Sequence, residues 1–238
     1  MVYNWVEWIQ DLLYPRRCLL CGAAGADGMD LCLGCRADLP WPGSACPVCA
    51  TPLPHPGPAP CGACQQRPPA FDAARALLHY VTPVDHLVQQ LKFHHRLVVA
   101  NLFAALMDRA LAGGDWRPAP LMPVPLHASR LRERGFNQAL EIARPLARAL
   151  EVPLLDRHCR RSRATPAQSG LDAATRRRNL RGAFEVVRPI EHDRVTLIDD
   201  VMTTGSTLDE LASTLKQAGV ERVELCVVAR TPPGNGQS

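Results

Sequence analysis

The sequence has no uninterrupted apolar run approaching the roughly 20 residues that a membrane-spanning helix needs, so no membrane span is expected. Aromatic residues are scarce, at 5% of the chain, and any surface that stacks unpaired bases must be built from few rings. Residues 1–15 contain Glu7 and Asp11 and lack both a basic start and a small-residue cleavage site. They do not read as a secretory leader, and the expected location is the cytoplasm. Val2, Trp5, Ile9, Leu12 and Leu13 instead suggest a short amphipathic helix over 1–17, docked on the body or on a partner. Lysine is missing from His127 to Arg181, yet that stretch holds 13 Arg against 5 Asp plus Glu, in a chain of net charge +4. A polyanion or a pyrophosphate-bearing ligand would be drawn there. A solvated basic face is the plain alternative.

What the sequence has in excess is cysteine at one end. Eight of the ten cysteines form four Cys-x-x-Cys pairs: Cys18/Cys21, Cys32/Cys35, Cys46/Cys49 and Cys61/Cys64. Each pair is a knuckle able to present two thiolates to a tetrahedral zinc ion, so up to two structural zinc ions are expected. A disulfide framework would need an oxidising compartment, and four tandem pairs suit a redox motif poorly. Sequential and cross-braced pairing of the knuckles both satisfy the spacing. The surrounding stretch is rich in Gly, Pro and Ala and has little apolar periodicity, so it needs the metal to fold. His55 lies in a proline-rich loop, and four complete pairs leave it no vacancy as a ligand. Cys159 and Cys226 stand apart, and Cys226, in the apolar run 223–229, reads as core.

The length leaves room for this module and a full-sized domain. The expected division is a helix over 1–17, a zinc module over 18–66, a larger domain over 67–232 and a disordered tail over 233–238. In the larger domain a strand is expected around 76–80, a candidate sheet edge, followed by helices over 84–95 and 97–111. Lys92, Phe93, His94 and His95 cluster at a helix end, where cations favour the C-terminus; adjacent histidines on a helix point apart, which weakens a metal reading. A strand over 121–126 is limited by its prolines. A helix over 138–150 carries Ala139, Ile142, Ala143, Leu146 and Leu150 on one stripe, with Pro145 expected to kink it.

The stretch 195–207 organises this domain. Val195, Thr196, Leu197 and Ile198 read as a short buried strand. Asp199 and Asp200 follow, then a turn of Thr203, Thr204, Gly205, Ser206 and Thr207, then a helix whose Leu208, Leu211, Ala212, Leu215 and Ala218 recur at helical spacing. Gly219 can end it. Strand, polar turn and helix in that order place the turn at the carboxyl edge of a parallel sheet, where ligands of open α/β sheets bind. N–H groups at a helix start attract an anion, Gly205 lets the backbone approach it, and the hydroxyls donate to phosphate oxygens. Ionised carboxylates suit vicinal sugar hydroxyls. Adjacent strand residues point to opposite faces, so one acid meets the sugar while the other acts indirectly. An ordinary capped turn would need only one Ser or Thr.

Upstream, Arg130, Arg132 and Arg134 precede Gly135, Asn137 and Gln138. Guanidinium forks fit pyrophosphate oxygens, and amide side chains can read a base or orient a sugar. The segment reads as a binding loop, with a solvated basic helix start as the alternative. The long stretch 160–181, ending in Arg176, Arg177 and Arg178, reads as a lid or a nucleic-acid-binding surface ahead of a strand around 184–187.

The stretch 195–207 resembles the PRPP-binding motif of type I phosphoribosyltransferases. The resemblance implies that Asp199 and Asp200 serve the ribose hydroxyls and that Thr203 to Thr207 hold the 5′-phosphate. Pro123 to His127, Arg130 to Ala139, the spacing of Arg163, Thr165, Gln168 and Leu171, and Arg177 to Phe184 resemble the ComF family (ComFC/GntX-like) of phosphoribosyltransferase-like proteins. With the zinc knuckles, the likeness covers nearly the whole chain. It implies an α/β phosphoribosyltransferase fold, a mostly parallel sheet flanked by helices, behind a double zinc ribbon. It implies PRPP with Mg²⁺ as ligand and a role in natural transformation, with single-stranded DNA and DNA-uptake or recombination proteins as partners. Catalytic duties fall on Asp199, Asp200 and Arg134, and substrate contacts on 203–207, Arg130, Arg132, Asn137 and Gln138. A non-catalytic nucleic-acid-binding module and a nucleobase-salvage enzyme are the alternatives.

Overall fold

The computed structural model describes residues 15–112, 119–163 and 180–232. The amphipathic pattern in 2–13, the triple arginine 176–178 and the tail 233–238 lie outside the described residues.

A four-stranded parallel sheet forms the centre, in spatial order β1 (Ala73–His79), β6 (Arg222–Arg230), β5 (Arg194–Met202) and β2 (Leu121–Pro123). The two central strands are nine residues each and buried on both faces over most of their length, as parallel strands covered by helices should be. Side chains alternate between faces along each strand. Ile198, Cys226 and Val228 pack on α3 (Val84–His94), α4 (Val98–Ala112) and α6 (Gln138–Ala149). Val195, Leu197, Leu225 and Val227 pack on α7 (Ser206–Gln217). Cys226 is core, as its apolar run implied.

The expected strand over 121–126 stops at Pro123. Pro123 and Pro125 have no N–H to offer the ladder, and only Val124 N–H still donates to Ile198 O, at 2.9 Å. Leu121 extends the sheet outward by exchanging bonds with Pro153 O and Leu155 N–H, both 2.8 Å. At the opposite side β1 is the edge strand. The 40–47 linker of the zinc module covers it, with Pro40 O accepting from His79 N–H at 2.8 Å and Pro47 O from Ala74 N–H at 3.3 Å. An uncovered edge would invite strand pairing with other chains.

Two expectations are corrected here. The stretch after His127 is not a loop but a short helix, α5 (Ala128–Arg134), with His127 capping its start and Gly135 (φ 78°) ending it. Its Arg, Leu and Glu residues are good helix formers. The strand expected over Val195–Ile198 is longer: β5 continues through Asp199 and Asp200 to Met202. The strand at Phe184–Val186 (β4) pairs antiparallel with β3 (Cys159–Arg161) as a separate ribbon. Pro145 lies within α6 without ending it. The zinc module carries only two helical turns, α1 (Leu33–Ala37) and α2 (Gly62–Gln66).

Candidate functional site

The eight N-terminal cysteines gather in two sets of four, Cys18, Cys21, Cys32 and Cys35, and Cys46, Cys49, Cys61 and Cys64, with all sulfurs of a set within 4.8 Å of one another. The knuckles therefore pair sequentially, which settles what spacing left open. The Cys21–Cys32 and Cys49–Cys61 sulfurs are 3.7 and 3.6 Å apart. A tetrahedron with Zn–S bonds of about 2.3 Å has edges of about 3.8 Å, so both sets fit zinc. Backbone N–H groups support the thiolates: Cys35 N–H donates to Cys32 Sγ at 3.4 Å and Cys61 N–H to Cys46 Sγ at 3.2 Å. These are two zinc-binding sites, each of four thiolates.

At the carboxyl end of β5 the two acids part, as alternation requires. Asp200 is buried on the α3/α6 side, where Lys92 Nζ lies 2.9 Å from its Oδ2 and Gln138 Nε2 donates to the same oxygen at 3.2 Å. Asp199, half-buried, accepts from Asp200 N–H at 2.9 Å. Burial, reinforced by the Asp200 charge, pushes the Asp199 carboxyl up to about 7, against the opposing pull of Lys92 and Arg161.

A carboxyl that holds its proton more tightly folded than unfolded stabilises the fold at acid pH. That stability is lost as pH rises from the ordinary carboxylate value toward 7. Asp199→Asn is therefore expected to raise the melting temperature at pH 8, by a stability increment on the order of 2 kcal/mol, with the gain shrinking toward pH 4. Thermal unfolding of both proteins across that range checks it; a lower melting temperature at pH 8 would refute the strain at this carboxyl.

Beyond Met202 the chain makes the hydroxyl turn. Thr203 and Thr204 are exposed, Gly205 is buried at φ 78°, and Ser206 opens α7. Thr204 and Ser206 hydroxyls meet at 3.0 Å. A Cβ on Gly205 would come within 2.7 Å of the Met202 methyl and would sit in the left-handed region besides. The turn is clamped from outside by Arg230 at the end of β6. Its guanidinium donates to Met202 O at 3.0 Å, to Thr203 O, to Cys49 O at 3.2 Å and to Thr51 Oγ1 at 3.0 Å. One side chain thus ties the second zinc cluster to the hydroxyl turn. A cavity of about 390 Å³ lies between them, walled by Cys61, Arg67, Phe71, Thr204, Ser206 and Arg230.

Of the basic helix α5, Arg134 interacts electrostatically with both acids. Burial lowers its pKa while the opposing charge of Asp200 raises it, and its guanidinium rests 5.6 Å from the Phe93 ring centroid. Arg130 adds positive field at both Arg134 and Arg161. Arg132 is exposed on the outer face. Asn137 caps α6 instead of facing open solvent: its Oδ1 accepts from Ala139 N–H and its Nδ2 donates to Val124 O, both at 3.0 Å. Gln138 is buried and aims its amide at Asp200.

Three contributors escaped the sequence reading. Lys92, read as a helix-end cation, is the ion partner of Asp200; Arg161, over the Phe184 ring at 5.6 Å, adds positive charge felt at Asp199; and Arg230 clamps the turn. No local pattern joins them to the acids, because each arrives from a different element.

Family comparisons agree with this anatomy. Residues 9–65 match the double zinc ribbon domain and residues 137–237 the phosphoribosyl transferase domain. The molecule is thus a double zinc ribbon joined to a phosphoribosyltransferase-type domain. DNA utilization protein YhgH of Salmonella typhimurium is 34% identical over 226 residues, 92% of this chain and 99% of the relative. YhgH of Escherichia coli is 33% identical over the same span. Competence protein F of Haemophilus influenzae is 35% identical over 178 residues, 71% of this chain and 78% of the relative. The chain belongs to the ComF family of phosphoribosyltransferase-like proteins. Leishmania donovani UMP synthase, a solved structure, is matched at TM-score 0.32 and 22% identity over 60% of this chain and 24% of that one. Among the described residues no helix is long and apolar enough to cross a membrane.

Proposed function

We propose that the carboxyl edge of the sheet binds PRPP or a related sugar phosphate with Mg²⁺, and that the protein handles single-stranded DNA in the cytoplasm during DNA uptake. One observation carries the first part: the two acids at the end of β5 and the hydroxyl turn that leads into α7 lie within nine residues of one another at the same edge of the sheet, suited to the two ends of a ribose phosphate. Asp199 and Asp200 serve the ribose hydroxyls, one directly and the other through its neighbours, and the 203–207 turn with the α7 start holds the 5′-phosphate. Arg134 and Arg130 face the departing pyrophosphate. Mg²⁺ is held mainly by ligand oxygens and water. In the enzymatic form of this reading a nucleophile displaces pyrophosphate at the anomeric carbon. The names of the relatives, a DNA utilization protein and a competence protein, support the DNA part.

Calorimetric titration of PRPP with Mg²⁺, with and without saturating single-stranded DNA, tests the reading. Binding that DNA alters would join the two ligands at one site. Tight DNA binding with no PRPP signal would favour the second reading, a zinc-dependent nucleic-acid-binding module that keeps the fold as a scaffold. Replacing Arg176, Arg177 and Arg178 together is expected to weaken single-stranded DNA binding. Each lost phosphate contact should flatten the salt dependence of log K by about 0.7. Superimposable salt titrations of variant and parent would remove these residues from the interface.

A further inference from the structure

Three of the six exposed large apolar side chains among the described residues, Phe93, Leu97 and Leu131, fall in two short segments, 92–97 and 130–136. The fold brings these segments together: the His95 and Phe136 rings are 5.4 Å apart, and the Arg134 guanidinium lies 5.6 Å from the Phe93 centroid. Phe93 is 64% exposed. The other exposed large aromatic among the described residues, Trp41 at 39%, is less open and lies in the zinc module.

The surroundings of Phe93 are cationic. Lys92, Arg96, Arg130, Arg132 and Arg134 lie in the same two segments, against Glu133 as their one acid. A phenyl ring left in water among charges gains nothing from burial within the chain, but it offers a π-face to a planar ligand whose backbone is anionic. The ring is linked to the acid pair through Arg134, which lies over it and interacts electrostatically with both carboxylates.

We propose that Phe93, backed by Arg134, is a stacking platform for an unpaired base of single-stranded DNA, with the cations of 92–97 and 130–136 tracking its phosphates. A duplex keeps its base faces covered and cannot use the ring, whereas an open strand can. The proposal rests on the single-strand binding proposed above and names where that strand engages.

The test is fluorescence anisotropy of a labelled oligothymidylate on the full-length zinc-loaded protein. Phe93→Ala is expected to weaken binding about tenfold, with the slope of log K against log[salt] unchanged, because stacking releases no counterions. Phe93→Trp should restore affinity and show tryptophan quenching on the strand. Arg132→Ala, in contrast, should reduce the salt slope by about 1. The ring is on the surface, so the melting temperature of Phe93→Ala should match the parent. An equal loss on an abasic strand, or affinity within twofold of the parent on the thymidylate, would overturn the platform. An effect confined to free adenine would assign the ring to a small acceptor base and overturn the strand proposal. Absence of single-strand binding by the unmodified protein would defeat the underlying reading as well, and so separates the two failures.

Discussion

Cys61→Ser, or zinc withdrawal by a chelator, is expected to lower the melting temperature by roughly 10 °C or more and to loosen the hydroxyl turn at 203–206. The zinc module has two helical turns of five residues each and little apolar periodicity of its own, so metal binding supplies its folding energy. Structural zinc contributes about 10–16 kcal/mol in isolated fingers, and each kilocalorie lost moves the melting point of a domain this size by roughly 2–4 °C. The second cluster reaches further than its own loop. Cys46, Cys49 and Cys64 pack into the same apolar cluster as Phe71, Leu208 and Val227, and Cys49 O and Thr51 Oγ1 anchor Arg230. When that anchor goes, the guanidinium loses its fixed position under Met202 O and Thr203 O. Metal analysis, calorimetry and hydrogen exchange at 203–206 read the three consequences separately. Cys18→Ser serves as the contrast: the first cluster packs with Leu102, Leu106 and α4, so it should lower melting while leaving exchange at the turn unchanged. Equal loosening by both variants would show that Arg230 is not the connection.

Asp199→Asn combined with Asp200→Asn is expected to abolish PRPP binding, a loss of at least about 100-fold, with the fold retained. Ionised carboxylates only accept hydrogen bonds, whereas an amide presents a donor to half the hydroxyl partners. Hydrogen bonds to charged groups contribute about 1.5–3 kcal/mol each, and two lost together account for the drop. The fold should survive because volume is kept and the strain of burying a charge at Asp199 beside a like charge is relieved, offsetting the Lys92 ion pair left without its acid. Calorimetry gives the affinity and thermal unfolding the stability. An unchanged PRPP affinity would remove the acids from the site, and a collapsed fold would recast them as structural.

The elements that sequence made legible are those whose signals are local. The eight zinc ligands were readable because a Cys-x-x-Cys knuckle is a four-residue structure. The turn at 203–207 was readable because strand, hydroxyls, Gly205 and the apolar stripe of α7 follow one another along the chain. Element ends were less legible: β5 runs four residues past Ile198, and α5 occupies what looked like a loop. Backbone pairing with β6 carries the strand through its two acids, overriding the poor strand preference of aspartate.

The two modules, the ligand content of the zinc clusters and the acid–hydroxyl motif were thus legible along the chain, since each depends on spacing within one element or one turn. Folding in three dimensions settled that the clusters pair sequentially, that Lys92 and Gln138 share Asp200, that the charge of Arg161 is felt at Asp199 and that Arg230 joins zinc ribbon to hydroxyl turn. It also brought Phe93 beside Arg134. In a parallel sheet, residues that meet at the strand ends arrive from separate crossovers, so strand order and side-chain alternation settle their neighbours, and no periodicity along the chain records either.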